Sequence, residues 1–349
     1  MRTTILFGGL SRERLVSVAS AQAVADALPE ADLWFWAADG TVSEATRERL
    51  AAHDKPFEVE FMADGARLGT IDKAMDKAAA EDRVLVLALH GGSAENGEFQ
   101  VLAEMRGVPF TGSGSAASHL AFDKTAAKLF ARIAGVPSPA TVVIDEIEQA
   151  FADHGKLVAK PSQDGSSFGL IFVNSSQDIA AVRRESATTP YVIEPFITGP
   201  EATCGVLEQA DGTLIALPPV EIIPAAGTFD YKSKYLAAAT QEICPARFAP
   251  EINAGLQRLA VTAHRALSPE ITAALKQHAM LAHRAMSCTG YSRSDFIISD
   301  KGPVYLETNT LPGLTKASLY PKSLKAEGLD FPGFLRGQIE LGVRRAGKA

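Results

Sequence analysis

Residues 293–321, RSDFIISDKGPVYLETNTLPGLTKASLYP, constrain the fold more than any other stretch of this 349-residue chain. Residues 296–298 and 304–306 are short apolar runs. Ser299, Asp300, Lys301 and Gly302 between them have the composition of a tight turn, so the spacing predicts a β-hairpin. Side chains alternate across a strand. That puts Arg293 and Asp295 on one face of the first strand, and Glu307 and Asn309 on one face of the second. Two carboxylates and an amide then converge, and hard oxygen donors of this kind suit Mg²⁺ completed by water and substrate phosphate. The same three residues would also serve as the solvent face of an ordinary amphipathic hairpin. The segment that follows weighs against that, because Pro312-Gly313 forces a turn able to aim backbone N–H groups at an anion.

The rest of the chain must supply a partner for this platform. Its length predicts two or three domains, and 46% hydrophobic residues is enough for large cores. A net charge of -7 leaves no basic footprint for nucleic acid and favours a small-molecule substrate. No apolar run approaches the roughly 20 residues that span a bilayer, and MRTTILFGG lacks the long apolar core of a signal peptide. No membrane association and a cytoplasmic location are expected. Cys204, Cys244 and Cys288 are odd in number and without C-x-x-C spacing, which indicates neither a disulfide framework nor a zinc site.

Residues 3–7 read as a buried strand ending in Gly8-Gly9, and residues 14–28 have helical periodicity, so the chain opens with a β-loop-α unit. Ligands of open α/β folds sit where loops leave strand ends, which places Ser11, Glu13 and Ser17 to meet one. Glu13 could equally be a first-turn acid that complements the helix dipole. Short strands are expected at 33–36 and 57–61, a helix after Thr70, and a central parallel strand at 84–89 that ends at His90-Gly91-Gly92. The Gly-x-Gly-x-x-Ala at 112–117 is not a dinucleotide fingerprint, since no acidic residue ends a strand about 20 residues on. In residues 156–173 two apolar strands flank a loop containing Gly165, Ser166 and Ser167, whose successive N–H groups can fold over a triphosphate. Residues 221–246 form a loop rich in small residues, long enough to be functional or disordered rather than a simple connector.

A tandem repeat follows. PEINAGLQRLAVTAHRALS at 250–268 runs directly into PEITAALKQHAMLAHRAMS at 269–287, with 11 of 19 positions identical. Each copy has helical apolar spacing, and Ser268-Pro269 ends one helix and starts another. A shift of 19 residues rotates a helix face by about 100°, so the two stripes would not align in one straight helix. The second copy joins the strand at Arg293 through residues 288–290 and is expected to be the one that docks.

Several motifs together resemble the D-alanine:D-alanine ligase family of the ATP-grasp superfamily. They are G-G-x-S-x-E-R-x-V-S from Gly8, A-E-N-G-E-F-Q-V-L around Glu95, G-S-G-x-x-A-S-x-L-A-x-D-K up to Lys124, and K-P-x-x-x-G-S-S-x-G from Lys160. To these are added R-x-D, E-x-N-T-L-P-G-x-T and S-L-Y-P in the hairpin region, and matches recur from residue 7 to residue 328. Asn96 and Val101 depart from the family's usual aspartate and glycine.

The resemblance implies an α/β and α+β architecture. An open parallel α/β domain at 1–122 would precede a small central ATP-grasp lobe at 123–196 and a catalytic ATP-grasp lobe at 197–349. It also implies one helix where this chain has two repeat copies. The implied reaction is ATP-dependent joining of two D-alanines through a D-alanyl phosphate, for peptidoglycan precursors. In it Glu13 holds the first ammonium, with His90 and Glu95 beside that site and Ser166 fixing the first substrate. Lys124, Lys160 and Ser167 meet the nucleotide phosphates. Glu194 and Phe196 face the adenine, and Glu201 the ribose. Asp295, Glu307 and Asn309 hold two Mg²⁺ or Mn²⁺ ions. Arg293 and the Gly313 N–H stabilise the oxyanion, Lys234 and Tyr235 close over the second substrate, and Ser318 with the backbone at Leu319 holds its carboxylate. The family is commonly a homodimer. An acceptor such as D-serine or D-lactate, or a catalytically impaired nucleotide-binding relative, are the alternatives.

Overall fold

The computed structural model describes residues 1–163, 165, 168–222, 247–248 and 267–348. β1 (Arg2–Gly8) leads into α1 (Arg14–Ala27), and β2 (Asp32–Trp36) returns parallel to β1. β3 (Thr41–Glu44), α2 (Arg47–Ala51), β4 (Arg67–Thr70) and α3 (Ile71–Ala80) follow, before β5 (Arg83–Leu89) pairs in parallel with β1 on its other side. The strand order is β4-β3-β2-β1-β5, with the pairs β2-β3 and β3-β4 antiparallel, so the parallel part of this sheet is the β2-β1-β5 end.

Two expectations are corrected here. The run at 84–89 does not occupy the middle of the sheet. It lies in an outer strand, closed off by the parallel bridge of Leu85 to Phe110. All seven residues of β5 are buried, and an outer strand covered on both faces has the same unbroken apolar sequence as a central one. Residues 57–61 are not a strand. Only Phe61 of that run is buried, with its ring 5.4 Å from Phe7 and 5.0 Å from Phe35, while Val59 is exposed. A single inserted ring had imitated the alternation of a strand.

α4 (Glu98–Glu104), α5 (Ser115–Phe122) and α6 (Lys124–Ile133) carry the chain to a second sheet. Asp123 separates the last two helices in an extended conformation, and its carboxylate caps α6 by accepting from the N–H groups of Thr125 and Ala126. Next come α7 (Ile147–His154), β6 (Leu157–Pro161), β7 (Ile171–Val173), α8 (Ser176–Ser186) and β8 (Tyr191–Pro195). The strands form an antiparallel sheet β7-β6-β8, whose core of Ile147, Leu157, Val173 and Val182 is shared with the two helices.

The third sheet takes β9 (Glu201–Glu208), β10 (Leu214–Ala216), β11 (Val220–Ile222) and β12 (Arg247–Phe248). After α9 (Pro269–Ala285), it is completed by β13 (Tyr291–Ser299) and β14 (Gly302–Asn309) in the order β12-β11-β9-β13-β14, with β10 also on β9. The predicted hairpin is β13 and β14, turning at Asp300-Lys301 between the paired Ser299 and Gly302. α10 (Leu319–Ala326) and α11 (Phe331–Arg345) then fold back on the first sheet, where Tyr291, Tyr320 and Phe334 share a core with Phe7 and Leu87. The guanidinium of Arg345 sits 4.4 Å from the centre of the Phe110 ring and donates to the Phe110 carbonyl at 2.9 Å.

α9 is the second repeat copy, as expected, and it packs on β9, β13 and β14. Ser268 caps it by accepting from the Ile271 N–H, and Pro269 occupies the first turn. Its buried positions include Leu275, Ala279, Ala282 and His283, each identical to the residue 19 places earlier. Both copies therefore carry the docking face. What distinguishes the second is its junction: Cys288 N–H donates to the His283 carbonyl at 2.9 Å, and His283 Nδ1 bonds Ser292 Oγ at 2.7 Å. Residues 249–266, which hold most of the first copy, lie outside the described residues.

Leu275 has no exposed surface. Leu275→Ala is expected to cost about 2–5 kcal/mol in urea unfolding and Ser268→Ala about 1 kcal/mol. A loss under about 1 kcal/mol for the first would show that α9 does not form the face of this core.

Candidate active site

β13 and β14 present their polar residues as the alternation required, with one addition. Arg293 pairs with Asn309 and Asp295 with Glu307, but Phe296 pairs with Tyr305, which leaves Leu306 as an extra residue on β14. Without that bulge Tyr305 and Glu307, two residues apart, would share a face. With it Tyr305 is fully buried against Phe296, while Glu307 turns to the cleft opposite Asp295. Arg293 grips the Asp295 carboxylate with two donors at 2.9 and 2.8 Å. Thr203 Oγ1 and Asn309 Nδ2 add donors at 2.6 and 3.2 Å. Among the described residues no three His, Cys, Asp or Glu side chains form a metal cage. Two carboxylates and an amide fit a divalent cation whose shell is completed by phosphate and water.

Glu13 reaches the same cleft from the loop after β1. A Cβ on Gly91 would stand 2.5 Å from Glu13 Oε2, and one on Gly165 would stand 3.0 Å from it, so two glycines distant in sequence make room for one carboxylate. Gly91 also has φ of +70°, which a side chain would strain. Glu95 faces this group: its carboxyl is pushed up to about 8, by burial first and by the negative charge of Glu13 second, with Arg293 opposing. This side of the cleft therefore holds two carboxyl groups that resist ionising together.

His90 lies beneath. Leu311 O, which can only accept, is 3.2 Å from its Nδ1, so that nitrogen carries the proton, and Nε2 accepts from Ser20 Oγ at 2.8 Å. Leu314 N–H donates to the same Ser20 hydroxyl. The His90 ring is thus a tie between the end of β5 and the turn at 311–314, with both nitrogens engaged inside the protein. Burial pushes it down to about 4. Beyond the turn, Ser318 Oγ accepts from Thr315 N–H and lies 2.7 Å from Thr315 Oγ1, and a Cβ on Gly313 would come within 2.7 Å of it. Leu319 opens α10 here, so the backbone donors of a helix N-terminus follow directly on Ser318.

The opposite wall carries the lysines. Lys124 Nζ stands 3.6 Å from Glu307 Oε2, across from the hairpin. Lys160 of β6 lies 3.2 Å from Glu194 Oε2. The Glu194 side chain is almost wholly buried, and Lys128, which is not among the residues expected from sequence, pairs with its other oxygen. The signal for Lys128 was available: it follows Lys124 by four residues and so shares its helix face. Phe196 packs edge-on to Phe172 with the Lys156 ammonium 5.1 Å from its ring centre, and Glu201 begins β9. Ser166, Ser167, Lys234 and Tyr235 lie outside the described residues.

A small antiparallel lobe bearing lysines, closing with a larger hairpin-bearing lobe on one cleft, is an ATP-grasp fold. The solved D-alanine-D-alanine ligase of Coxiella burnetii has it too, with a TM-score of 0.76 at 23% identity over 100% of this chain and 95% of that one. The chain belongs to the D-alanine–D-alanine ligase family. The model for the D-ala D-ala ligase N-terminus matches residues 2–113, and that for the C-terminus matches 145–270 and 266–340. The two C-terminal matches overlap where the repeat copies meet. A D-alanine–D-alanine ligase of Sinorhizobium fredii is 34% identical over 96% of each chain. The VanG D-Ala:D-Ser ligase of Enterococcus faecalis superposes with a TM-score of 0.73 at 26% identity, covering 98% of this chain and 99% of that one.

His90 also sets a pH dependence. Its folded pKa lies below the ordinary 6.5, so between 6.5 and about 4 the unfolded chain binds a proton that the folded ring refuses. Stability is full above pH 6.5 and falls as pH drops toward 4, on the order of 3 kcal/mol for such a shift. His283, pushed down to about 4 chiefly by burial, adds in the same direction. Urea midpoints between pH 4 and 7 are expected to show a shallower fall in His90→Gln than in the wild type. An unchanged slope would mean that the ring is solvated.

Proposed function

We propose that this protein joins two D-alanines into D-alanyl-D-alanine with ATP, through a D-alanyl phosphate, in the supply of peptidoglycan precursors. The observation that carries it is the convergence of Glu13, Arg293, Asp295, Glu307 and Asn309 on one cleft in a chain of this family. An amide cannot form from a carboxylate at neutral pH without a leaving group, and phosphoryl transfer from ATP supplies one. Glu13 holds the ammonium of the first D-alanine, and its carboxylate turns to the nucleotide. Lys124 and Lys160 draw the phosphates toward the hairpin. Asp295, Glu307 and Asn309 would hold a divalent cation, which would supply charge neutralisation for the transferring phosphoryl group. Attack by the amine of the second D-alanine then creates an oxyanion, which the Arg293 guanidinium and the Gly313 N–H stabilise as aimed donors. Phosphate leaves as the amide bond forms. Ser318 and the backbone at Leu319 hold the second carboxylate.

His90 supports this geometry through the turn at 311–314 rather than by contact with substrate. Phe196, Glu201 and the backbone at Glu194 form the nucleotide's base and ribose side, while Ser166, Ser167, Lys234 and Tyr235 are assigned from sequence alone. The division at 1–122, 123–196 and 197–349, a homodimer, Mg²⁺ or Mn²⁺ as the metal and a cytoplasmic location complete the proposal. No described helix is long and apolar enough to cross a membrane.

Phosphate release should require both D-alanine and Mg²⁺. Equal release with L-alanine, or with no amino acid, would refute the ligase assignment, and a panel of D-serine and D-lactate tests the acceptor. Glu307→Gln removes charge from the metal face but keeps shape. Turnover should fall by about 10²-fold or more, in line with several kcal/mol of lost charge stabilisation, with the thermal midpoint little changed. Turnover near wild type at saturating Mg²⁺ would show that Glu307 is not a ligand.

A further inference from the structure

Lys128 takes no part in the chemistry above, yet it is one of the largest fully buried side chains in the protein. It projects from the inner face of α6, whose outer residues Leu129, Phe130 and Ile133 are exposed. Burying an ammonium is costly, and an apolar residue of similar length would fill the space without that cost. Glu194 explains its presence. The carboxylate ends one strand of the lysine-bearing lobe with 2% of its side chain exposed, and it is bound from two sides, by Lys128 on Oε1 and by Lys160 on Oε2. The two lysines differ in access: 1% of the Lys128 side chain is exposed and 15% of that of Lys160. Lys128 therefore has almost no surface to offer a ligand, whereas Lys160 opens to the cleft.

We propose that Lys128 is a positioning residue for the nucleotide. It fixes Glu194 and shares its charge, which leaves Lys160 able to turn from that carboxylate to a phosphate. The proposal rests on the assignment of the cleft to ATP. One carboxylate facing one ammonium is a closed neutral pair, and an arriving phosphate must compete with it for Lys160. With two ammonium groups on the carboxylate the cations repel each other, each is held less tightly, and the trio carries a net positive charge that attracts an anion. Burial first and the Lys160 charge second push Lys128 down to about 7, with Glu194 opposing. Glu307 also faces this ammonium and favours its charged form.

The test uses the full chain and Mg-ATP as the probe. Calorimetric titration without amino acid is expected to give a Kd raised about tenfold or more in Lys128→Met. In D-alanine-dependent phosphate release, KM for ATP should rise alike, with kcat and KM for D-alanine within about threefold of wild type. In a Glu194→Gln background, where no carboxylate charge remains to retain Lys160, adding Lys128→Met should change Kd by less than about threefold. A Kd within about twofold of wild type in Lys128→Met, or the same rise in both backgrounds, overturns the proposal. If Lys128→Met alone does not fold, comparison of Glu194→Gln with the double variant still decides, and a difference above about threefold overturns it. Calorimetry needs no D-alanine. Absence of D-alanine-dependent turnover would thus sink the ligase assignment while leaving Lys128 in place, whereas a wild-type chain that binds no ATP overturns both.

Discussion

The cleft depends on carboxyl groups being held close together against their mutual repulsion. Glu13, Glu95, Asp295 and Glu307 approach from three parts of the chain, and at close range in a partly dry site such crowding raises the pKa of whichever member is least compensated. Glu95 is pushed up to about 8, by burial first and by the charge of Glu13 second. Asp295 and Glu307 each stand beside a specific cation: the Arg293 fork on Asp295 and the Lys124 ammonium near Glu307. The pattern is that of a site built to receive further positive charge and a polyanion together. The unequal cations on its two walls, a planar fork on one and flexible ammonium groups on the other, suit rigid oxyanion binding and mobile phosphate binding respectively.

Holding these groups in register demands stiffness across long sequence separations. The third sheet is tied to the first by a shared core in which Tyr291, Tyr320 and Phe334 meet Phe7 and Leu87, so the two ends of the chain are one packed body. Within it the Ser20–His90–Leu311 chain of hydrogen bonds connects three segments that each contribute to the cleft. A neutral imidazole serves there because it donates with one nitrogen and accepts with the other, and burial keeps it neutral. The helix α9 supports the far face of the hairpin, where Phe296 and Tyr305 join its core. Packing on one face of β13 and β14 thus places the carboxylates on the other.

Much of this was readable in the residues alone. The 2-residue alternation of Arg293 with Asp295 and of Glu307 with Asn309, and the turn between Ser299 and Gly302, are local properties of a strand pair, and the structure keeps both. The apolar runs of β1 and β5 and the cap at Ser268 are likewise local, since propensity, capping and periodicity act over a few residues. Where two arrangements share one local pattern, sequence could not choose. Complete burial made an outer strand look central at 84–89, and one inserted ring made residues 57–61 look like a strand.

What only the tertiary structure decided are relations between segments. The bulge at Leu306, which sends Tyr305 to the core and Glu307 to the cleft, is set by pairing with β13 and leaves no mark on spacing. The pocket that Gly91 and Gly165 open for Glu13 exists only once three loops meet. Lys128 could be seen as a lysine on the face of Lys124, but its burial depends on Glu194 arriving from a strand 66 residues later. The repeat shows the division most plainly. Its two copies carry the same docking face, so sequence determined that a helix of this composition would pack here, and the junction of Cys288 and Ser292 with His283 holds the second copy in place. Local rules act through bonds and short spacings along the chain, whereas burial and charge pairing depend on distances in space that folding alone creates.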